Sequence, residues 1–309
     1  MKGIEHCIGK RRALAAALLF SCLAVPLEAS ADDIEVYLSA PASLPRPNVL
    51  FLLDRSGSMS LKAEGKFPRW GEQSRMDQLG SSMQTILTNE ELYNINAAIL
   101  SYTGTLDDDK RVYLTVEHDF VDASIADNRT SLIRAVNALK PFGSTPTANA
   151  LKEAVSWMQG LDPYISPGQY QCQENRIILL TDGLANYSDY SENPFDKSQE
   201  CDDGYPFYSV EKDKEWYENL DGICSKEIIA TGYTTDIRTS GTDIEGNPWD
   251  GLQNVITDTI GFYTSVIPHA ENFLREIVKG QNGTLDDATP SEGGFYTANS
   301  VNDLVQAFS

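Results

Sequence analysis

The chain has 309 residues, 41% of them hydrophobic, with 45 acidic and 24 basic side chains. Its formal net charge of −21 argues against binding to nucleic acid or to anionic lipid, because a surface of this charge repels phosphate groups. The length is sufficient for the complete hydrophobic core of an α/β domain. We therefore expect a solvated domain whose partners are not held by a basic surface.

The first 31 residues have the layout of a secretory signal peptide. Basic residues at positions 2 and 10–12 precede an apolar stretch over 13–25, and Ala29, Ser30 and Ala31 follow as a small-residue cleavage site. The apolar stretch is shorter than the roughly 20 residues that a membrane span needs. We expect export, a signal peptide over 1–31, an extension over 32–46 and no stable span in the mature chain. Cleavage would remove four basic and two acidic side chains, which takes the net charge from −21 to −23.

An apolar run then leads into a cluster of oxygen donors. Val49 to Leu53 is apolar without alternation, which is typical of a strand buried on both faces of a parallel sheet. Asp54, Ser56 and Ser58 follow in an Asp-x-Ser-x-Ser pattern where this strand ends. Ligands bind at the carboxyl ends of strands in open α/β sheets, and carboxylates and hydroxyls are the donors that Mg²⁺, Ca²⁺ and Mn²⁺ prefer. The pattern predicts a metal site.

The next segment contains two helices and two strands. Apolar residues recur on one helical face between positions 76 and 87, and strands are predicted over 95–102 and 112–121. The acidic triplet 107–109 fits a solvated turn better than a calcium loop, because the EF-hand pattern does not follow it. A short helix is predicted over 130–139.

Two more oxygen donors lie at the ends of later elements. Thr145 precedes a helix predicted over 148–158, and Asp182 follows a second unbroken apolar strand that starts at Arg176. Each donor also has an ordinary structural interpretation. The serines and Asp182 could be turn residues, and Thr145 could be a helix cap.

Two irregular insertions and three cysteines distinguish the second half. The insertions lie at about 184–212 and 239–251, and a loop as long as the first is usually functional or disordered. Cys172, Cys201 and Cys224 would remain after cleavage, so one disulfide would leave one thiol over. All three pairings are open, and Cys201 with Cys224 is the first choice because both lie in one excursion from the domain.

The remaining residues complete an alternation of strands and helices. Further elements are predicted as a helix over 213–231, a strand over 259–267, a helix over 270–278, a strand over 294–297 and a helix over 301–308. This alternation predicts an α/β fold with a doubly wound, mostly parallel sheet flanked by helices.

The donor pattern resembles that of the von Willebrand factor A domain. Its metal-ion-dependent adhesion site uses an Asp-x-Ser-x-Ser motif, a distant threonine and a distant aspartate. The matching positions, all in the expected order, are Asp54, Ser56, Ser58, Thr145 and Asp182. The resemblance extends over about 47–309. It implies a site for Mg²⁺, or for Ca²⁺ or Mn²⁺, that binds a carboxylate of a protein partner.

A narrower resemblance links the chain to the PilC/PilY group of type IV pilus tip-associated adhesins. It is carried by the segments 47–59, 233–238 and 293–298, together with the exported start. That group normally has a C-terminal β-propeller with its own calcium loop, which this sequence lacks. The resemblance implies a location in the periplasm, at the pilus tip or on the cell surface, with pilus subunits or a host surface as partners.

Catalysis is the weaker hypothesis. Hydrolysis at the metal would need a general base, and outside the predicted signal peptide the only histidines are His118 and His269, neither of which lies in a motif segment. Known hydrolase and phosphate-binding motifs do not occur. The sequence therefore favours an adhesion domain, with a structural pilus component as the alternative in which the metal only stabilises the fold.

Overall fold

The computed structural model of the chain describes residues 45–90, 94–105, 111–183, 185, 194–198, 201, 224–249, 251–264, 268–282 and 293–307. The predicted signal peptide, most of the 32–46 extension, most of the 184–212 insertion and the acidic triplet lie outside these ranges. In the part of the chain that the structure describes, no helix combines the length and the apolar character needed to cross a membrane.

Strands and helices alternate along the chain. The strands are β1 (Asn48–Asp54), β2 (Asn96–Gly104), β3 (Val112–Asp122), β4 (Asn175–Thr181), β5 (Val255–Phe262) and β6 (Phe295–Ala298). The helices are α1 (Arg75–Thr88), α2 (Ala126–Ala138), α3 (Thr147–Gln159), α4 (Ser225–Thr234), α5 (Pro268–Asn282) and α6 (Val301–Gln306), and a short 3₁₀ helix (Gly57–Ser60) follows β1.

The six strands form one sheet in the order β3-β2-β1-β4-β5-β6. Every neighbouring pair is parallel except β2 and β3, which are antiparallel. The predicted fold class is confirmed. Because β1 and β4 are parallel neighbours at the centre of the sheet, their carboxyl ends lie side by side at one edge.

The unbroken apolar runs are explained by burial on both faces of the sheet. Phe51 and Leu53 of β1 pack into one core together with residues of α1, α2 and α6, whereas Leu50 and Leu52 pack into a second core with α3, α4 and α5. All four side chains are at most 2% exposed. Full burial on both faces is what fixes the position of β1 and hence of the residues that follow it.

The predicted strand over 259–267 is wrong in its boundaries, because β5 begins at Val255 and ends at Phe262. Its first half includes Thr257 and Asp258, which do not read as part of a buried strand. Asp258 is nevertheless fully buried. The cost of burying its charge is compensated by Arg176 on the neighbouring strand, whose Nη1 donates to Oδ2 of Asp258 at 2.6 Å. A buried ion pair therefore takes the place of apolar side chains in this part of the sheet.

Helices α2, α4 and α5 also differ from their predicted ranges. Helix α5 occupies Pro268–Asn282 instead of 270–278. Helix α2 begins at Ala126, four residues earlier than expected, because its first turn is polar and carries no apolar periodicity. Helix α4 occupies Ser225–Thr234 instead of 213–231, and the earlier part of the predicted range lies outside the described residues. The described residues of the second insertion, 239–249 and 251, contain no helix or strand.

The disulfide between Cys201 and Cys224 confirms the first choice of pairing. Cys172 also takes part in a disulfide bond. The expectation of a leftover thiol concerns the chain after cleavage of residues 1–31 and stays a prediction. The Cys201–Cys224 bond links the first insertion to the start of α4, where Cys224 is fully buried.

Candidate metal centre

Asp54 is the last residue of β1, and its carboxylate is completely buried. Its Oδ1 accepts a hydrogen bond of 2.7 Å from the backbone N–H of Ser56. Its Oδ2 accepts a hydrogen bond of 2.6 Å from Oγ1 of Thr181, the last residue of β4. The loop after β1 and the end of β4 therefore each hold one oxygen of this carboxylate.

A chain of hydroxyl contacts joins the Asp-x-Ser-x-Ser loop to Asp182. The Oγ atoms of Ser56 and Ser58 are 3.0 Å apart, and Oγ of Ser58 donates to Oδ1 of Asp182 at 2.7 Å. The 3₁₀ helix that begins at Gly57 turns Ser58 back toward the end of β4. Asp182 directly follows β4 and is fully buried.

Thr145 belongs to a loop that is attached to the β1 loop by its backbone. The N–H of Gly57 donates to the carbonyl of Gly143 at 3.0 Å, and the N–H of Phe142 donates to the carbonyl of Arg55 at 2.9 Å. Thr145 itself is only 3% exposed. Pro146, not Thr145, occupies the N-cap position of α3, so a capping role does not account for the threonine.

The structure places three further residues at this site. Thr181 directly precedes Asp182, and its hydroxyl holds Asp54. Nη1 of Arg75 donates to Oδ2 of Asp182 at 2.6 Å. Tyr102 is the register partner of Asp54 on β2, and burial, followed by the charge of Asp54, raises the pKa of its hydroxyl well above the usual value. The sequence held one signal for Arg75. A basic residue at a helix N-terminus is electrostatically unfavourable without a nearby anion, so its position suggests that an anion lies close to it.

The two site carboxylates are costly to ionise together. Burial is the main cause that raises the pKa of Asp54 to about 7, and the negative charge of Asp182 adds to it. Burial also raises the pKa of Asp182, and the positive charge of Arg75 opposes that rise. Among the described residues, Asp54 has no basic side chain in an ion pair with it.

The side chains at this edge fit a hard divalent cation. Asp54, Asp182, Ser56, Ser58 and Thr145 offer carboxylate and hydroxyl oxygens, which are the donors that Mg²⁺ and Ca²⁺ take. The described residues include no cluster of three or more His, Cys, Asp and Glu side chains that could hold a metal. A cation here would therefore rely on hydroxyls and water in addition to two carboxylates.

The family model of the von Willebrand factor type A domain matches residues 49–184. Over these residues the chain is therefore similar to a von Willebrand factor type A domain. The match begins in β1, ends just beyond Asp182 and includes all five predicted site residues. No protein with a curated description matches the chain.

Solved structures that match most of this chain include three pilus proteins. The PilB minor pilin of Streptococcus sanguinis is 19% identical with a TM-score of 0.53, over 87% of this chain and 61% of that chain. SpaC of Lactobacillus rhamnosus GG, a pilus adhesin, is 14% identical with a TM-score of 0.46, over 86% of this chain and 29% of that chain. The von Willebrand factor domain of the type V pili tip protein Mfa5 of Porphyromonas gingivalis is 16% identical with a TM-score of 0.44. The match covers 86% of this chain and 94% of that chain. At such identities, the likeness to PilB concerns the fold alone.

Proposed function

We propose that this protein is an exported, divalent-metal-dependent adhesion domain of a type IV pilus tip-associated or pilus assembly protein, of the PilC/PilY kind. The observation that carries the proposal is the hydrogen-bonded series from Asp54 through Ser56 and Ser58 to Asp182 at the carboxyl edge of the sheet. The residues that would hold Mg²⁺, or Ca²⁺ or Mn²⁺, are Asp54, Ser56, Ser58, Thr145 and Asp182.

When bound, the cation supplies an open coordination position for an aspartate or glutamate carboxylate of a protein partner. The protein's own residues shape the rest of the site. Asp54 contributes charge and is oriented by Thr181, while the serines provide neutral donors. The acidic surface of the chain would repel such a partner elsewhere, so the cation is the feature that recognises its carboxylate.

Binding is favoured over catalysis by the placement of His118. Its Nε2 lies 2.6 Å from Oγ of Ser131 on α2, and its Nδ1 lies 2.8 Å from the carbonyl oxygen of Asp119. Both ring nitrogens are thus engaged in local contacts within β3 and α2. We infer that His118 is a structural residue and does not activate water.

One observation supports the alternative of a structural pilus component. Asp54 is buried without an ion-pair partner among the described residues, so a bound cation would also stabilise the fold. In that case the metal would matter for pilus assembly and not for recognition. Adhesion that survives removal of the metal, with a drop in pilus number, would favour this alternative.

The proposal is tested with Asp54→Ala and isothermal titration of Mg²⁺. We expect a folded domain that has lost magnesium binding, and with it divalent-dependent binding to pilin or host cells. Asp243→Ala is the matched control, because Asp243 is also a buried aspartate with several hydrogen bonds but lies in the second insertion. It should leave magnesium affinity unchanged. Magnesium binding that persists in Asp54→Ala would overturn the proposed site.

A further inference from the structure

Arg75 is a buried cation at the entrance of α1, where its side chain is only 2% exposed. A buried guanidinium is costly unless its donors and its charge are satisfied. Nη1 donates to Oδ2 of Asp182 at 2.6 Å. Nε and Nη2 donate to the carbonyls of Lys62 and Ala63, each at 3.2 Å. All three nitrogens of the guanidinium group are therefore engaged.

The hydrogen bond from Arg75 also occupies the oxygen of Asp182 that does not contact Ser58. Its Oδ1 accepts from Ser58 and its Oδ2 accepts from Arg75, so both carboxylate oxygens are held by groups of the chain itself. Asp182 is thereby fixed in orientation, and Arg75 compensates part of the cost of burying its charge.

The charge of Arg75 changes the electrostatics of the whole site. Two ionised aspartates and one guanidinium leave one net negative charge, and a divalent cation converts this to one net positive charge. Without Arg75, the same site would bind a cation more tightly but would be neutral when loaded. A net positive charge is what attracts the carboxylate of a partner.

We propose that Arg75 is an internal counter-charge of the metal site, a positioning residue that holds Asp182 in place and weakens cation affinity in favour of ligand affinity. This inference rests on the proposed function of the site. It assigns to Arg75 two opposite effects on the same protein, because the residue stabilises the domain without a cation and lowers the affinity for that cation.

The chain contains a matched control for this idea. Arg176 and Asp258 form another buried pair with the same distance of 2.6 Å between Nη1 and Oδ2, and both side chains are 0% exposed. Arg176 lies near the start of β4, whereas Asp182 follows the end of that strand. Removal of either arginine should destabilise the fold, but only removal of Arg75 should alter cation binding.

The experiment compares Arg75→Gln, Arg75→Lys and Arg176→Gln with the unaltered protein, by calorimetric titration of MgCl₂ and by thermal unfolding in MgCl₂ or EDTA. We expect both glutamine variants to unfold at a lower temperature in EDTA. Arg75→Gln should bind Mg²⁺ on the order of tenfold more tightly, and Mg²⁺ should restore most of its lost thermal stability. Arg75→Lys keeps the charge and should bind Mg²⁺ close to the original affinity. Arg176→Gln should show unchanged affinity and no selective rescue by Mg²⁺.

The outcomes separate this inference from the proposed function. If the unaltered protein binds no Mg²⁺, both are overturned. If it binds Mg²⁺ but Arg75→Gln binds no more tightly, only the counter-charge role is overturned. A variant Arg75→Gln that folds neither in EDTA nor in Mg²⁺ also overturns it, because a bound divalent cation should replace the missing positive charge.

Discussion

Oγ1 of Thr181 donates a hydrogen bond of 2.6 Å to Oδ2 of Asp54, although 127 residues separate the two in the chain. The contact joins the last residues of the two central parallel strands. It holds a buried carboxylate in the orientation in which its other oxygen receives the N–H of Ser56. Contacts within the chain itself thus hold the carboxyl edge of the sheet in place.

Removal of this hydroxyl should destabilise the domain. Thr181→Val keeps the shape of the side chain but leaves the buried Asp54 with one donor fewer, which we expect to lower the free energy of unfolding by about 1–3 kcal/mol. Denaturant unfolding in EDTA measures the change. Thr257→Val is the control, because the hydroxyl of Thr257 is buried with no hydrogen-bond partner among the described residues. It should be nearly neutral, and equal losses in the two variants would contradict the role of Thr181.

The stability of the cation-free domain should depend on the ionisation of Asp54. Its pKa of about 7 in the folded state lies above the usual 3.8, so the folded domain holds a proton that the unfolded chain has lost between these values. In EDTA, this residue should therefore lower stability as the pH rises from about 4 to about 7. Asp54→Asn should remove that contribution, which is measured as the difference between the two unfolding curves. A pH dependence identical in both proteins would contradict the raised pKa.

Magnesium affinity should rise over the same pH range. A bound cation requires the ionised carboxylate, so below about pH 7 each unit of pH should change the affinity by up to roughly tenfold. Calorimetric titration at several pH values, in buffers of different ionisation enthalpy, also reports the proton released. Affinity that does not change between pH 5 and 8 would show that Asp54 is not the coupled group.

Gly143 should be essential for the loop that carries Thr145. Its φ is +72°, and a Cβ atom there would lie 1.7 Å from the carbonyl oxygen of Gly104. Gly143→Ala should therefore cost more than about 2 kcal/mol and displace the loop, which would weaken magnesium binding as well. Gly65→Ala is the control, because Gly65 has a similar φ of +73° with nothing within 4 Å of the added atom. It should cost about 1 kcal/mol and leave magnesium affinity unchanged.

The disulfide between Cys201 and Cys224 should affect stability and not the metal site. It spans 23 residues, and the loss of such a constraint on the unfolded chain costs about 3 kcal/mol in Cys201→Ser/Cys224→Ser. None of the described hydrogen bonds of the site residues involves either cysteine. Unfolding measures the expected loss of stability, and magnesium titration measures whether the metal site is unchanged. A loss of magnesium affinity would instead indicate that the insertion over 184–212 contributes to the site.

The sequence by itself determined the fold class and the placement of the central strands. Unbroken apolar runs ending at Asp54 and before Asp182 could be read locally, because a strand buried on both faces needs apolar side chains at every position. Where such a strand ends, the sequence changes from apolar to polar residues, so the candidate donors were visible as a break in the apolar pattern. β5 was misplaced by the same rule, since its buried Asp258 is compensated by Arg176 from the neighbouring strand.

Only the tertiary structure decided how the site is balanced. The position of Arg75 at a helix N-terminus suggests a nearby anion, but not that this anion is a carboxylate 107 residues away, and Thr181 looks like any other strand residue. Both contacts depend on which strands are neighbours and on how the loop after β1 folds back. The donors of a site follow from local chemistry, whereas its net charge and the orientation of its side chains follow from partners that packing brings together.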